Sequence, residues 1–228
     1  MTKQQAGRIE VGGHVSSSGG IYTAVSRAQE IGAEAVQIFV SSPQMWRATK
    51  HTAEATKRFR EDHAASGLGQ VWVHNIYLAN LATETPEQLQ KSIESVINAL
   101  TVGHEIGARG VVLHTGSHHG AGLAPFLEQV RDALQHILDA TPEGITLALE
   151  TMAGQGGTIG KEFEELAALL QAVDSPRLQV CLDTCHTFAA GYELRTPEGV
   201  RETMQRFDDV IGVSAGGAGP ADGGAPEG

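Results

Sequence analysis

Basic residues, cysteines and long apolar runs are all scarce in this chain, and each shortage narrows what it can be. Lys and Arg number 16 against 27 Asp and Glu, giving a formal charge of −11. That balance argues against a broad basic surface for nucleic acid. It leaves room for an enzyme acting on DNA, because divalent ions bound in a carboxylate-lined mouth would make that mouth locally positive. The only cysteines, Cys181 and Cys185, read as reduced thiols flanking Asp183, with a metal-binding role for the pair as the weaker reading. No run of 18 apolar residues exists, and the start, MTKQQAGRIE, lacks the apolar segment of a signal peptide. The expected location is therefore the cytoplasm, with no membrane role. What remains is ordinary: 228 residues, 41% hydrophobic, enough for one large domain with a substantial core.

The pattern along the chain repeats as apolar run, polar loop and amphipathic stretch. Strands are expected over Ile9–Val15, Ala35–Val40, Val71–His74, Gly110–His114, Ile145–Glu150 and Leu178–Asp183. Several are continuous and β-branched, as strands buried on both faces should be. Helices are expected over Ile21–Ile31, Ala53–Ala65, Pro86–Ile106, Gly122–Ala140, Lys161–Val173 and Pro197–Asp208. Pro86 after Thr85 and Pro197 after Thr196 read as first-turn prolines behind a capping hydroxyl, and Gly67 and Gly107 as helix stops. Strand alternating with helix predicts an α/β fold, a TIM-type β/α barrel. It is incomplete, with about six of eight βα units.

Five residues stand out as candidate metal ligands: His74, His114, Glu150, Asp183 and His186. The first four each end an apolar run and are spaced 40, 36 and 33 residues apart, about one strand–helix unit, and His186 follows Asp183 by three. Parallel strands that each present a ligand at the carboxyl end bring all five to one mouth of a barrel. Imidazole nitrogens with carboxylate oxygens suit zinc or a similar divalent ion engaged in hydrolysis. His14 is expected at the mouth without being a ligand. His118 and His119 are expected on a solvated loop. His51, His63, His104 and His136 are expected on helix surfaces, and Trp46 in a structural role.

The segments VWVHNIYLANL, VVLHTGSH, LALETMAGQG and RLQVCLDTCH carry these residues, with GGHVSSSGG before them and GYELRTP after. In order and separation they resemble endonuclease IV, the zinc-dependent apurinic/apyrimidinic endonuclease family, over about residues 9–213. The resemblance implies that His74 and His114 bind a first zinc and that Glu150 bridges the first and second. Asp183 would belong to the second site and His186 to a third, with Glu150 and Asp183 at the centre of catalysis. It implies a substrate of duplex DNA containing abasic sites, cut on the 5′ side to leave a 3′-hydroxyl and a 5′-deoxyribose phosphate. No obligate protein partner is implied. Tyr77 and Leu78 would wedge into the DNA minor groove. Gln44 departs from the family, standing where an arginine often inserts beside the lesion, which should weaken the grip on DNA.

Near Val213 the composition changes abruptly. Thirteen of the fifteen residues of Ser214–Gly228 are Gly, Ala, Pro or Ser. The expected division is residues 1–213 as a partial barrel carrying the metal site and 214–228 as a disordered tail, a possible frameshift product. The resemblance implies further ligands beyond this point, so only the first zinc would keep all its protein ligands and the activity of the chain itself would be impaired. Two other readings are a metal-dependent sugar isomerase or epimerase of similar fold and an inactive single-zinc remnant.

Overall fold

The computed structural model describes residues 9–212; the expected tail at 214–228 lies outside them. Six parallel strands form one sheet in chain order: β1 (Gly12–His14), β2 (Ala35–Phe39), β3 (Val71–His74), β4 (Gly110–Leu113), β5 (Thr146–Glu150) and β6 (Leu178–Cys181). Each neighbouring pair is parallel, with registers such as Phe39 beside His74 and Glu150 beside Cys181. Between them run α1 (Thr23–Glu30), α2 (Ala53–Ser66), α3 (Pro86–Ile106), α4 (Leu127–Asp139) and α5 (Phe163–Val173). After β6 come a short α6 (Thr184–Ala189) and then α7 (Pro197–Val210). Strand–helix repetition with strands in sequential order is the TIM-barrel pattern, here as six units.

The central strands β4 and β5 are buried at every position, whereas β2 alternates between buried and half-buried residues. A cavity of roughly 500 Å³ is lined by residues of all six strands, among them Gly12, Gln37, Trp72, Val112, Ala148 and Cys181. β1 and β6 are the two sheet edges.

Helix faces follow the apolar periodicity. In α3, Ile93, Val96, Leu100, Gly103 and Ile106 are buried, a 3–4 spacing that lays one stripe on the sheet. Gly103 permits that approach: a methyl group at this position would fall 2.9 Å from Ile145 Cδ1. Gly67 and Gly107 end α2 and α3 in the left-handed conformation, at φ of 76° and 78°. Thr196 caps α7 by accepting from Gly199 N–H at 3.0 Å. Thr85 adopts the capping backbone conformation but makes no side-chain cap; Pro86 alone marks that start.

Element boundaries are shorter than expected at strand ends. Ile9 and Val11 precede β1 as exposed residues, and His114 and Asp183 lie just past β4 and β6. Residues 122–140 divide into a 3₁₀ turn at Ala124–Phe126 and α4 proper. His186 sits on α6, a helix the sequence pattern did not reveal because six residues carry too little periodicity.

Candidate metal centre at the carboxyl ends of the strands

The strand ends deliver their side chains to one mouth because the backbone ladder continues past them. Asn75 N–H donates to the Val112 carbonyl at 2.8 Å, Leu81 N–H to Thr115 at 3.0 Å, and Thr151 N–H to Cys181 at 2.9 Å. The residues just before those extensions, His74, His114 and Glu150, are thereby aimed inward together.

Glu150 is the hub. It is 5% exposed. His74 Nε2 stands 3.2 Å and His114 Nε2 3.0 Å from its Oε2, and His186 Nδ1 lies 3.2 Å from its Oε1. Burial pushes the Glu150 carboxyl up, but hydrogen bonds and charge from His114 and His74 outweigh it and hold the group well below the usual carboxylate range. Asp183 caps α6, its Oδ1 accepting from His186 N–H at 2.7 Å. His186 Nδ1 also donates to the Thr151 carbonyl at 3.0 Å.

Two donor groups result among the described residues: His74, His114 and Glu150, and Glu150, Asp183 and His186, each with ligand atoms within 4.8 Å of one another. The donors fit a zinc-like cation on chemical grounds. His74 commits its Nδ1 proton to the Asn75 carbonyl at 2.7 Å. Its Nε2 then faces the Glu150 carboxylate across a hydrogen bond whose proton a cation bound between them would replace.

His14 stays apart from both groups: its Nδ1 pairs with Gln37 Oε1 at 2.9 Å and its ring packs 4.5 Å from Phe39. Burial pulls its pKa down against the Gln37 hydrogen bond. Neither cysteine joins the donor groups. Cys185 is exposed, and burial, reinforced by the charges of Glu150 and Asp183, pushes the Cys181 thiol up to about 12. Tyr77 and Leu78 are exposed at the rim. The Tyr77 ring lies edge-on to His74 at 5.3 Å and tilted to His114 at 5.5 Å, forming one wall of the site. Gln44 is exposed on the neighbouring loop, which is joined to Tyr77 through its N–H to the Pro43 carbonyl at 2.9 Å. Trp46 is half-buried against that loop.

Three histidine expectations are corrected. His118 is not solvated: its Nδ1 accepts from Gly120 and Gly122 N–H at 3.1 and 3.0 Å, organising the loop after β4. His51 precedes α2 rather than lying on it, and its Nε2 donates to the Val40 carbonyl at 2.7 Å. His63 is half-buried, donating to the Gly69 carbonyl at 2.9 Å. His104, His119 and His136 are exposed. Reasoning from sequence also passed over Thr151 and Asn75. Their position directly after the ligands Glu150 and His74 was the one available signal.

A family model described as a xylose isomerase-like TIM barrel matches residues 25–215. The probable endonuclease 4 of Natronomonas pharaonis is 40% identical over 205 residues, covering 90% of this chain and 73% of that protein. Among solved structures, endonuclease IV from Thermus thermophilus superposes with a TM-score of 0.81 at 34% identity, covering 91% of this chain and 74% of that one. A D-tagatose 3-epimerase-like protein superposes at 0.68 with 20% identity over 88% of this chain and 72% of its own, a likeness of fold alone.

Proposed function

The chain belongs to the endonuclease IV family, and from that premise we propose that it is a DNA-repair endonuclease. It hydrolyses the phosphodiester on the 5′ side of an abasic nucleotide, leaving a 3′-hydroxyl and a 5′-deoxyribose phosphate. The observation that carries this reading is the convergence of three imidazoles on the one buried carboxylate of Glu150. In this reading His74, His114 and Glu150 hold one zinc. Glu150 would be shared with a second that Asp183 would help to hold, and His186, in the same donor group as those two, would serve that ion or a third beside it.

When bound, zinc makes a water nucleophilic near neutral pH and stabilises the charge that builds on the phosphate. The protein's part is preparation. Glu150 stays anionic because its neighbours hold its pKa down. The Asn75 carbonyl keeps the His74 Nδ1 protonated and so its Nε2 free to ligate. Asp183 is oriented by capping α6. Tyr77 and Leu78 present exposed apolar surface beside the donors, suited to entering a duplex where a missing base leaves little stacking to lose. Gln44, on the adjoining loop, meets the same DNA as a neutral side chain.

The domain reading is residues 1–213 as a partial β/α barrel carrying the metal site and 214–228 as a Gly/Ala/Pro-rich tail; one continuous sheet from Gly12 to Cys181 supports the first part. Among the described residues no helix is long and apolar enough to cross a membrane. The cytoplasm is the proposed location.

The deciding assay is nicking of duplex DNA bearing one abasic site, against the same duplex intact. Cleavage confined to the abasic strand, abolished by chelator and restored by zinc, supports the function. Turnover of free ketoses without nicking would move the assignment to sugar isomerisation. Zinc binding without cleavage would leave a metal-binding remnant.

A further inference from the structure

Thr151 follows Glu150 at the end of β5 and is 1% exposed. Every polar group it has is turned toward the β6–α6 segment. Its N–H donates to the Cys181 carbonyl at 2.9 Å. Its Oγ1 accepts from Asp183 N–H at 2.9 Å. Its carbonyl accepts from His186 Nδ1 at 3.0 Å. Thr187, also 1% exposed, completes the arrangement: its Oγ1 donates to the Asp183 carbonyl at 2.6 Å and lies 3.2 Å from Thr151 Oγ1.

A hydroxyl has one proton to give. Thr187 gives its proton to the Asp183 carbonyl; the Thr151 proton lies between Thr187 Oγ1 and that same carbonyl, 3.3 Å away, while Thr151 Oγ1 accepts from Asp183 N–H. These contacts form a closed ring around the Asp183 backbone. The ring has a purpose that stability alone does not require. β6 ends at Cys181 and is a sheet edge, so Asp183 has no ladder partner of its own. One of its carboxylate oxygens is already committed to capping α6. The direction of the other is set by the backbone, which two buried hydroxyls grip at N–H and C=O.

We propose that Thr151 is a positioning residue: it holds Asp183 and His186 as one ligand pair facing Glu150. This rests on the reading of those three residues as a metal group. Thr151 touches no reacting atom and acts through the pair. Removing its hydroxyl frees the Asp183 backbone while leaving the His74–His114 side of the site intact.

The test compares the full chain with Thr151→Val, which keeps the shape, and Thr151→Ser, which keeps the hydroxyl. Metal-free protein is read first, by amide exchange at Asp183 and by ¹⁵N shifts of His186. In the valine variant Asp183 should exchange about tenfold faster, with Val180 and Leu149 unchanged, and serine should restore protection. The His186 ring should lose its single Nδ1–H tautomer in the same variant. Zinc alone is titrated next, with Asp183→Ala as the blank. The valine variant should bind roughly 10- to 100-fold more weakly at the Glu150–Asp183–His186 group, and serine should recover to within about threefold. Thr187→Val opens the same ring from the other side and should release Asp183 equally; it stands in if Thr151→Val does not fold. Unchanged Asp183 exchange and His186 tautomer in the valine variants overturn the proposal. If zinc fails to bind the parent while Asp183 is still freed, the metal reading falls and the positioning role stands.

Discussion

His74 Nε2 lies 3.2 Å from Glu150 Oε2, and both side chains are buried. The other nitrogen of that ring is spent on the Asn75 carbonyl, so the contact is a meeting of ligand atoms rather than an ordinary surface ion pair. The same carboxylate also receives His114 and, on its second oxygen, His186. Glu150 thus belongs to both donor groups, while each of its partners belongs to one.

Replacing Glu150 with Ala should therefore remove ion binding from both groups at once. His114→Ala should remove it from the first and Asp183→Ala from the second. Zinc content after dialysis, measured on parent and variants, checks this. Equal losses in all three variants would mean that the groups are not organised around Glu150. Abasic nicking should fall to background in Glu150→Ala.

Chelation should destabilise the parent chain. An ion that binds only the folded state at 100 times its dissociation constant contributes about 2.7 kcal/mol. For a chain of this size that corresponds to a fall in Tm of roughly 5–10 °C on adding EDTA. Glu150→Ala should show almost no such fall. Differential scanning calorimetry with and without chelator makes the comparison.

Acidification of the metal-free chain should reveal Glu150 through its slope. Its folded pKa is held below the ordinary value of 4.5. The stability it contributes is therefore present in full above pH 4.5 and is lost as pH falls through the lower, folded value. Below pH 4.5, Tm of the parent should drop more steeply than that of Glu150→Gln, which has no proton to gain. Parallel curves would show that the carboxylate is not held in its charged form.

Arg177 should matter to stability without touching the site. Its guanidinium donates to the carbonyls of Leu138 at 2.7 Å and Ile145 at 3.1 Å and to Thr141 Oγ1 at 2.9 Å, tying the end of α4 to the foot of β5. Hydrogen bonds from charged groups are worth about 1.5–3 kcal/mol each before losses elsewhere. Arg177→Ala should cost about 2–4 kcal/mol in urea unfolding while zinc content at saturation stays at the parent value.

Tyr77→Ala should separate recognition from metal binding. Loss of one stacking aromatic costs about 1–3 kcal/mol where it meets a base. Binding to abasic duplex should weaken by roughly 5- to 100-fold, with binding to intact duplex changed less. A fluorescence anisotropy titration with both duplexes reads the ratio. Equal weakening for both would assign Tyr77 to packing against His74 and His114 alone.

Much of this was legible in the chain. The βα order follows from apolar runs that alternate with periodic helices, and Val71–His74 and Pro86–Ile106 are read to the residue because His74 and Gly107 terminate them sharply. The candidate ligands are visible because parallel strands end on one side, so spacing by strand–helix unit converts to proximity. Other features were hidden. The six residues of α6 are too few to show a period, and the part His118 plays in its loop depends on two glycine amides two and four residues ahead.

The sequence by itself determined the architecture and the chemical character of the mouth, since periodicity, end-of-strand position and donor type are local or one-dimensional properties. Only the tertiary structure decided which donor is shared and what orients the others. The sharing of Glu150 among three imidazoles, and the turning of Thr151 toward Asp183 and His186, depend on register across β3 to β6. Residues 30 or more apart in the chain meet there within a few ångströms, and no pattern along one strand records the register of the next.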